Sequence, residues 1–139
     1  MSRKVARETV YKMLFASKFY DNVDIKPDFE ALFEVASEGN TIEGEDKNYI
    51  QKTFDGVIAN LTDITNIVMS KIQTYKTSRI YPADMVALVL ATYELKFSKD
   101  IPAKVVINES VNLVKKYSTE KSATFVNGVL SSVLKDFDE

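Results

Sequence analysis

Apolar residues recur at intervals of three and four along most of the chain, and this spacing limits the fold more than any other feature of the sequence. Such spacing gathers apolar side chains on one face of an α-helix, whereas a half-buried strand alternates apolar and polar residues. No segment of the sequence alternates convincingly in this way. We therefore predict an all-α protein with about seven helices.

Turn residues separate the apolar stripes in the first half of the chain. The first stripe predicts a helix over about residues 2–20, and Asn22 and Pro27 separate it from the next element. A short helix then covers residues 29–36, and Gly39 is placed to end it. Two further amphipathic helices are predicted before the middle of the chain.

The second half is punctuated more clearly. Pro82 and Pro102 each suit the start of a helix. Backbone N–H groups in the first turn have no partner within the helix, so the N–H group that proline lacks is not missed there. Residues 86–91 are apolar nearly all round, which predicts a buried central helix. A last helix follows, and Ser118 or Thr119 is its predicted cap.

The composition removes whole classes of chemistry, because the sequence contains no histidine, cysteine or tryptophan. Disulfides, thiolate nucleophiles and imidazole bases are therefore excluded, as are metal sites built on Cys or His. The four glycines form no phosphate-binding loop. Glu109 is a candidate general acid or base, but without an identifiable second acid we favour a structural hydrogen bond. We expect no catalytic residue, no metal and no cofactor.

The length of 139 residues corresponds to one domain. No linker, repeat or low-complexity tract interrupts the sequence, so we expect residues 1–139 to form a single helical domain. The start lacks the apolar core of a signal peptide, and no stretch reaches the roughly 20 apolar residues that cross a membrane. The sequence therefore predicts a soluble cytoplasmic protein with no membrane contact.

The net charge of −2 conceals an uneven distribution. Residues 1–18 carry five basic side chains and one acidic one, residues 21–46 carry nine acidic and one basic, and residues 96–121 carry six lysines and three acids. Local clusters of Lys and Arg matter more for nucleic-acid binding than net charge does. The layout is compatible with a nucleic-acid surface, but from charge alone we favour solvated helix faces.

Several motifs in the sequence carry a resemblance to a known family. IPAKVVINESV at residues 101–111 is followed by KKY at 115–117 and FVNGVL at 125–130. Upstream, Asp84 and the YEL sequence at 93–95 stand where that family has its central helix. The first residues, RKVARE and then MLF, match its basic N-terminal helix. Together these motifs resemble the NusB family of bacterial transcription antitermination factors.

The resemblance implies two small helical bundles packed together and a function in RNA binding without catalysis. Family members bind the boxA element of nascent ribosomal RNA together with a small-subunit ribosomal protein, NusE, and act in the antitermination complex of RNA polymerase. The alternative is a helical adaptor or regulatory module related to the NusB-like domain of ribosomal-RNA cytosine methyltransferases, without its own catalysis. Some relatives self-associate, so a homodimer is left open.

The resemblance also assigns roles to individual residues. Two matching positions, Phe15 and Asp84, correspond to the interface with the ribosomal protein. The family's N-terminal arginine run is thinner here, and Val89 and Ser118 stand where an arginine and a glycine are usual. The positions expected to contact RNA lie near the start of the chain and in the last helix: Arg3, Lys4, Arg7, Lys121, Ser122, Phe125 and Asn127.

Overall fold

The computed structural model describes residues 3–18, 28–73 and 80–137, which form seven α-helices and contain no β-strand. The all-α prediction is thus confirmed. The first predicted helix is the long one that was expected, while residues 19–27, which include Asn22 and Pro27, lie outside the described residues. The helices are α1 (Arg3–Ser17), α2 (Phe29–Ser37), α3 (Glu45–Ala59), α4 (Leu61–Ile72), α5 (Pro82–Phe97), α6 (Ala103–Tyr117) and α7 (Glu120–Phe137).

The chain divides into two compact units, Met1–Ile58 and Ala59–Glu139. The first contains α1, α2 and nearly all of α3, and the second contains α4 to α7. No helix in the described ranges has both the length and the apolar character needed to cross a lipid bilayer.

In the first unit, α1 packs against α2. Asp28 caps α2, since its carboxylate accepts the Ala31 N–H at 2.9 Å. The helix ends at Ser37, one residue beyond the predicted stretch, and Glu38, with φ of 48°, adopts the left-handed conformation as Gly39 does, with φ of 81°. The Glu38 carboxylate lies 3.1 Å from the Lys12 ammonium group on α1, so the strained residue also joins the two helices.

In the second unit, α5 is the central helix and packs against α4, α6 and α7. Every residue from Val86 to Leu95 is buried, which confirms the helix predicted from its apolar run. Pro82 occupies its first turn, as expected, whereas Pro102 immediately precedes α6. This burial includes polar groups, because Asp84, Thr92 and Glu94 are each less than 5% exposed.

Candidate nucleic-acid interface

The basic residues of α1 lie at its N-terminal end, and an aromatic ring of α3 orients one of them. The guanidinium carbon of Arg3 lies 4.2 Å from the centroid of the Tyr49 ring, and that of Arg7 lies 6.0 Å from it. Both distances are within the range of a cation–π interaction. Arg3 and Lys4 are exposed, whereas Arg7 is only 4% exposed.

Arg3, Lys4 and Arg7 differ in how much of each side chain is accessible to a ligand. Lys4 forms no ion pair with any residue in the described ranges, and its ammonium group is open to solvent. Arg3 is exposed but held over a ring, which limits the rotamers its long side chain samples. Arg7 is largely enclosed by the protein, so it presents little surface to a ligand. The predicted contacts of all three with RNA remain predictions.

The contact between Tyr49 and Arg3 was not predicted from the sequence. Tyr49 lies 46 positions after Arg3 and follows several acidic residues, and its spacing placed it only in the apolar stripe of α3. The residues around an aromatic ring in the sequence do not show that it contacts a cation far away in the chain. Only the packing within the first unit brings them together.

A cluster of hydroxyl groups fixes the start of α7. The Thr119 hydroxyl accepts the Ser122 N–H at 3.0 Å, so Thr119 is the cap that the sequence offered together with Ser118. The Ser122 hydroxyl lies 3.0 Å from each of the Thr119 and Ser118 hydroxyls. It also donates to Oδ2 of Asp84, at the start of α5, at 2.7 Å. This network ties the first turn of α7 to the central helix.

Two residues expected to contact different ligands are therefore bonded to each other. Ser122 is 4% exposed and Asp84 is 3% exposed, and neither presents its side chain to solvent. The second carboxyl oxygen of Asp84, Oδ1, is buried without a hydrogen-bond partner in the part of the chain that the structure describes. In this arrangement the two side chains join the first turns of α7 and α5, and their predicted contacts with ligands remain predictions.

The remaining predicted residues are more accessible. Lys121 and Asn127 are exposed, and Phe125 is half-buried in the first turns of α7. Phe15, on α1, is also half-buried. The second unit thus presents an ammonium group, an amide and part of an aromatic ring along one helix, which suits phosphate contact, base hydrogen bonding and stacking.

Tyr93, on the central helix of the second unit, is buried. Burial, and secondarily the neighbouring Glu94, raises the pKa of Tyr93 above its ordinary value of 10.0. Its phenol therefore stays protonated at neutral pH. Within the described ranges, no group of three or more acidic side chains is arranged to hold a metal ion.

Comparison with known protein families matches residues 3–135 to the NusB family. The chain belongs to the NusB family. This confirms the identification made from the INE and FVNGVL motifs. A transcription antitermination protein NusB from Agathobacter rectalis is 37% identical over 131 residues, which cover 94% of this chain and 98% of that protein. A NusB from Clostridium botulinum strain Kyoto is 34% identical over 143 residues and covers 96% of this chain and 100% of the relative.

Solved NusB structures have the same fold. A T. maritima NusB superposes with a TM-score of 0.84 at 32% identity, covering 97% of this chain and 92% of the other. A structure of the antitermination factors NusB and NusE in complex with double-stranded RNA has a TM-score of 0.80 at 31% identity, with 96% of each chain covered. These similarities establish the NusB fold over nearly the whole chain, and the roles of single residues stay predictions.

Proposed function

We propose that this NusB-family protein is a transcription antitermination factor that binds boxA-type RNA of ribosomal RNA operons together with NusE. The observation that carries the proposal is the family match over residues 3–135. Near-full-length similarity to a NusB solved with NusE and RNA supports it. The protein then works by binding alone, within the RNA polymerase antitermination complex and in the cytoplasm, where bacterial transcription takes place.

The basic and aromatic side chains supply the RNA-binding chemistry of this proposal. Arg3 and Lys4 on α1 and Lys121 on α7 are exposed cations that bind phosphates and release counterions. Phosphate contacts position an RNA, and contacts to bases give sequence preference. Phe125 and Asn127 are the residues suited to bases, by stacking and by amide hydrogen bonds. Residues 1–139 act in this proposal as one RNA-binding domain.

Buried residues have a positioning role in the same proposal. Tyr49 restricts Arg3, which reduces the entropy lost when the guanidinium group binds. Ser122 and Asp84 place the first turn of α7, on which Lys121 lies. Of the two residues matched to the NusE interface, Phe15 is the more accessible, because Asp84 is enclosed.

The proposal is tested by titrating the protein with a boxA RNA and with a scrambled RNA of equal length, with and without NusE, across a salt series. We expect preference for boxA, tighter binding with NusE, and affinity that falls as salt rises. Equal affinity for both RNAs, even with NusE present, would contradict the proposal. Binding of NusE without any gain in RNA affinity would favour the helical adaptor instead.

A further inference from the structure

An open groove runs between α6 and α7 within the second unit. Besides the acidic Glu120, three polar residues of α6 and three of α7 line it, and their spacing of three, four or seven puts each set on one helix face. Val111 and Leu134 contribute apolar surface to the lining. The six polar residues, all exposed, are Lys104, Asn108, Lys115, Thr124, Asn127 and Ser131.

The groove joins two motifs that the sequence presents separately. Asn108 belongs to the INE motif on α6, and Asn127 belongs to the FVNGVL motif on α7. Both amides face the same groove. Each can donate and accept hydrogen bonds, which is what recognition of base edges or 2′-hydroxyl groups requires.

The polar side chains of the groove are not engaged elsewhere in the protein. None of the six makes a side-chain hydrogen bond or an ion pair with another residue of ranges 3–18, 28–73 and 80–137. By contrast, three lysines elsewhere are paired, Lys12 and Lys47 with glutamates and Lys71 with Asp136. The groove therefore carries free hydrogen-bonding groups and two cations without a carboxylate partner.

The placement of the two cations fits an extended anionic ligand. Lys104 and Lys115 stand 11 positions apart on α6, about 16 Å along the helix axis. The acidic residue in the lining is Glu120, so the lysines exceed the acids by one. A positive groove with hydrogen-bonding groups between its cations is typical of a surface that follows a single nucleic-acid strand.

We propose that the α6–α7 groove binds an unpaired stretch of RNA adjoining the boxA element, with Lys104 and Lys115 on phosphates and Asn108 and Asn127 on bases or 2′-hydroxyls. This inference rests on the proposed function, and it extends the predicted RNA surface. Lys121 and Phe125 lie one position along α7 from the groove residues Glu120 and Thr124, so one strand can pass from the helix start into the groove.

The test compares a minimal boxA RNA with the same RNA extended by about eight unpaired nucleotides on either side. Affinities are measured by fluorescence anisotropy with NusE present, across a salt series. We expect an extended RNA to bind about fivefold more tightly at low salt, with a salt slope steeper by about 1.4, because two further phosphates of a single strand are contacted. The double variant Lys104→Ala/Lys115→Ala should lose this gain and keep its affinity for the minimal RNA.

Two further variants make the test specific. Asn108→Ala should reduce the gain without changing the salt slope, because the amide is uncharged. The control Lys52→Ala/Lys135→Ala removes the same charge from exposed positions outside the groove and should keep the gain. The inference is overturned if wild-type protein binds both RNAs equally, or if both lysine double variants lose the gain alike. Failure to bind either RNA would overturn the proposed function as well.

Discussion

The starts of α1 and α7 are both expected to contact RNA, yet the protein holds them in different ways. At the start of α1, Arg3 and Lys4 are exposed, and Arg3 is guided by the ring of Tyr49 at the surface. At the start of α7, Ser122 is enclosed and bonded to Asp84 of the central helix. The cations of the first helix start lie at the surface beside a ring, whereas the first turn of the last helix, with its exposed Lys121, is placed by a buried network.

The energies of these two arrangements differ accordingly. An exposed cation–π contact contributes about 0.5–1 kcal/mol, and a hydrogen bond to a charged group contributes about 1.5–3 kcal/mol. A change at the start of α1 should therefore alter RNA affinity with little effect on folding. A change at the buried Ser122 of α7 should alter folding first and RNA affinity as a consequence.

The largest expected effect comes from Ser122→Ala. The change removes the hydroxyl group that donates a hydrogen bond to Asp84, and the buried carboxyl group is left without it. The free energy of unfolding should therefore fall by about 2 kcal/mol. Urea denaturation measures this loss. RNA affinity should weaken too, but the salt slope should stay unchanged, because no cation is removed.

Ser131→Ala is the matched control, since it makes the same change at an exposed position of the same helix. Its free energy of unfolding should stay within about 0.5 kcal/mol of the wild type. If Ser122→Ala were equally harmless, the contrast between the two helix starts would not hold.

The next largest effect is expected for Arg3→Ala/Lys4→Ala. RNA affinity should fall about tenfold at low salt and the salt slope should lessen by about 1.4, since two contacts to a single strand are lost. Anisotropy titrations at several salt concentrations measure both quantities. Unfolding by urea should be nearly unchanged, because both side chains are exposed.

Arg7→Ala sharpens this prediction from within the same helix. Because Arg7 is buried, its loss should lower stability and leave the salt slope nearly as it is. A slope that lessened equally for Arg7→Ala would show that the buried guanidinium group contacts phosphate, and it would remove the distinction drawn between surface and enclosed cations.

The smallest effect concerns pH and the central helix. Burial raises the pKa of Tyr93, so the folded protein favours the neutral phenol. That contribution to stability is complete below pH 10, the ordinary pKa, and is lost as the pH rises through the raised value. At alkaline pH the free energy of unfolding of Tyr93→Phe should therefore fall less steeply with pH than that of the wild type. The two slopes should differ by at most about 1.4 kcal/mol per pH unit.

Denaturation curves between neutral and strongly alkaline pH test this difference, with Tyr81→Phe as the control because Tyr81 is exposed. Parallel stability profiles for the wild type and Tyr93→Phe would contradict the assignment.

Local patterns in the sequence were enough to predict much of the fold. The apolar run at 86–91 identified the buried central helix, and Pro82 marked its first turn. Thr119 was one of two caps offered for α7, and it is the one whose hydroxyl accepts the N–H three residues on. These features depend on residues within one helical turn of each other, so they can be predicted from short stretches of sequence.

The features of the candidate site depend on pairs far apart in the chain. Ser122 and Asp84 are 38 residues apart, and the residues around each one do not indicate that the two side chains are hydrogen-bonded. Each was therefore assigned to a separate ligand. Glu38 shares the left-handed conformation of Gly39, whereas propensity predicts it for the glycine alone. Such pairings arise from tertiary packing, which a single sequence does not record.

The bond between Ser122 and Asp84 restricts the order in which the two positions can change during evolution. If the serine is lost first, the buried carboxyl group of Asp84 loses its hydrogen bond, and its other oxygen has no hydrogen-bond partner among the described residues. Losing the acid first is less damaging, since the serine hydroxyl keeps the hydroxyls of Ser118 and Thr119 within 3.0 Å. Homologues that lack the acid should therefore vary freely at the serine position, whereas homologues that keep the acid should keep a hydroxyl opposite it.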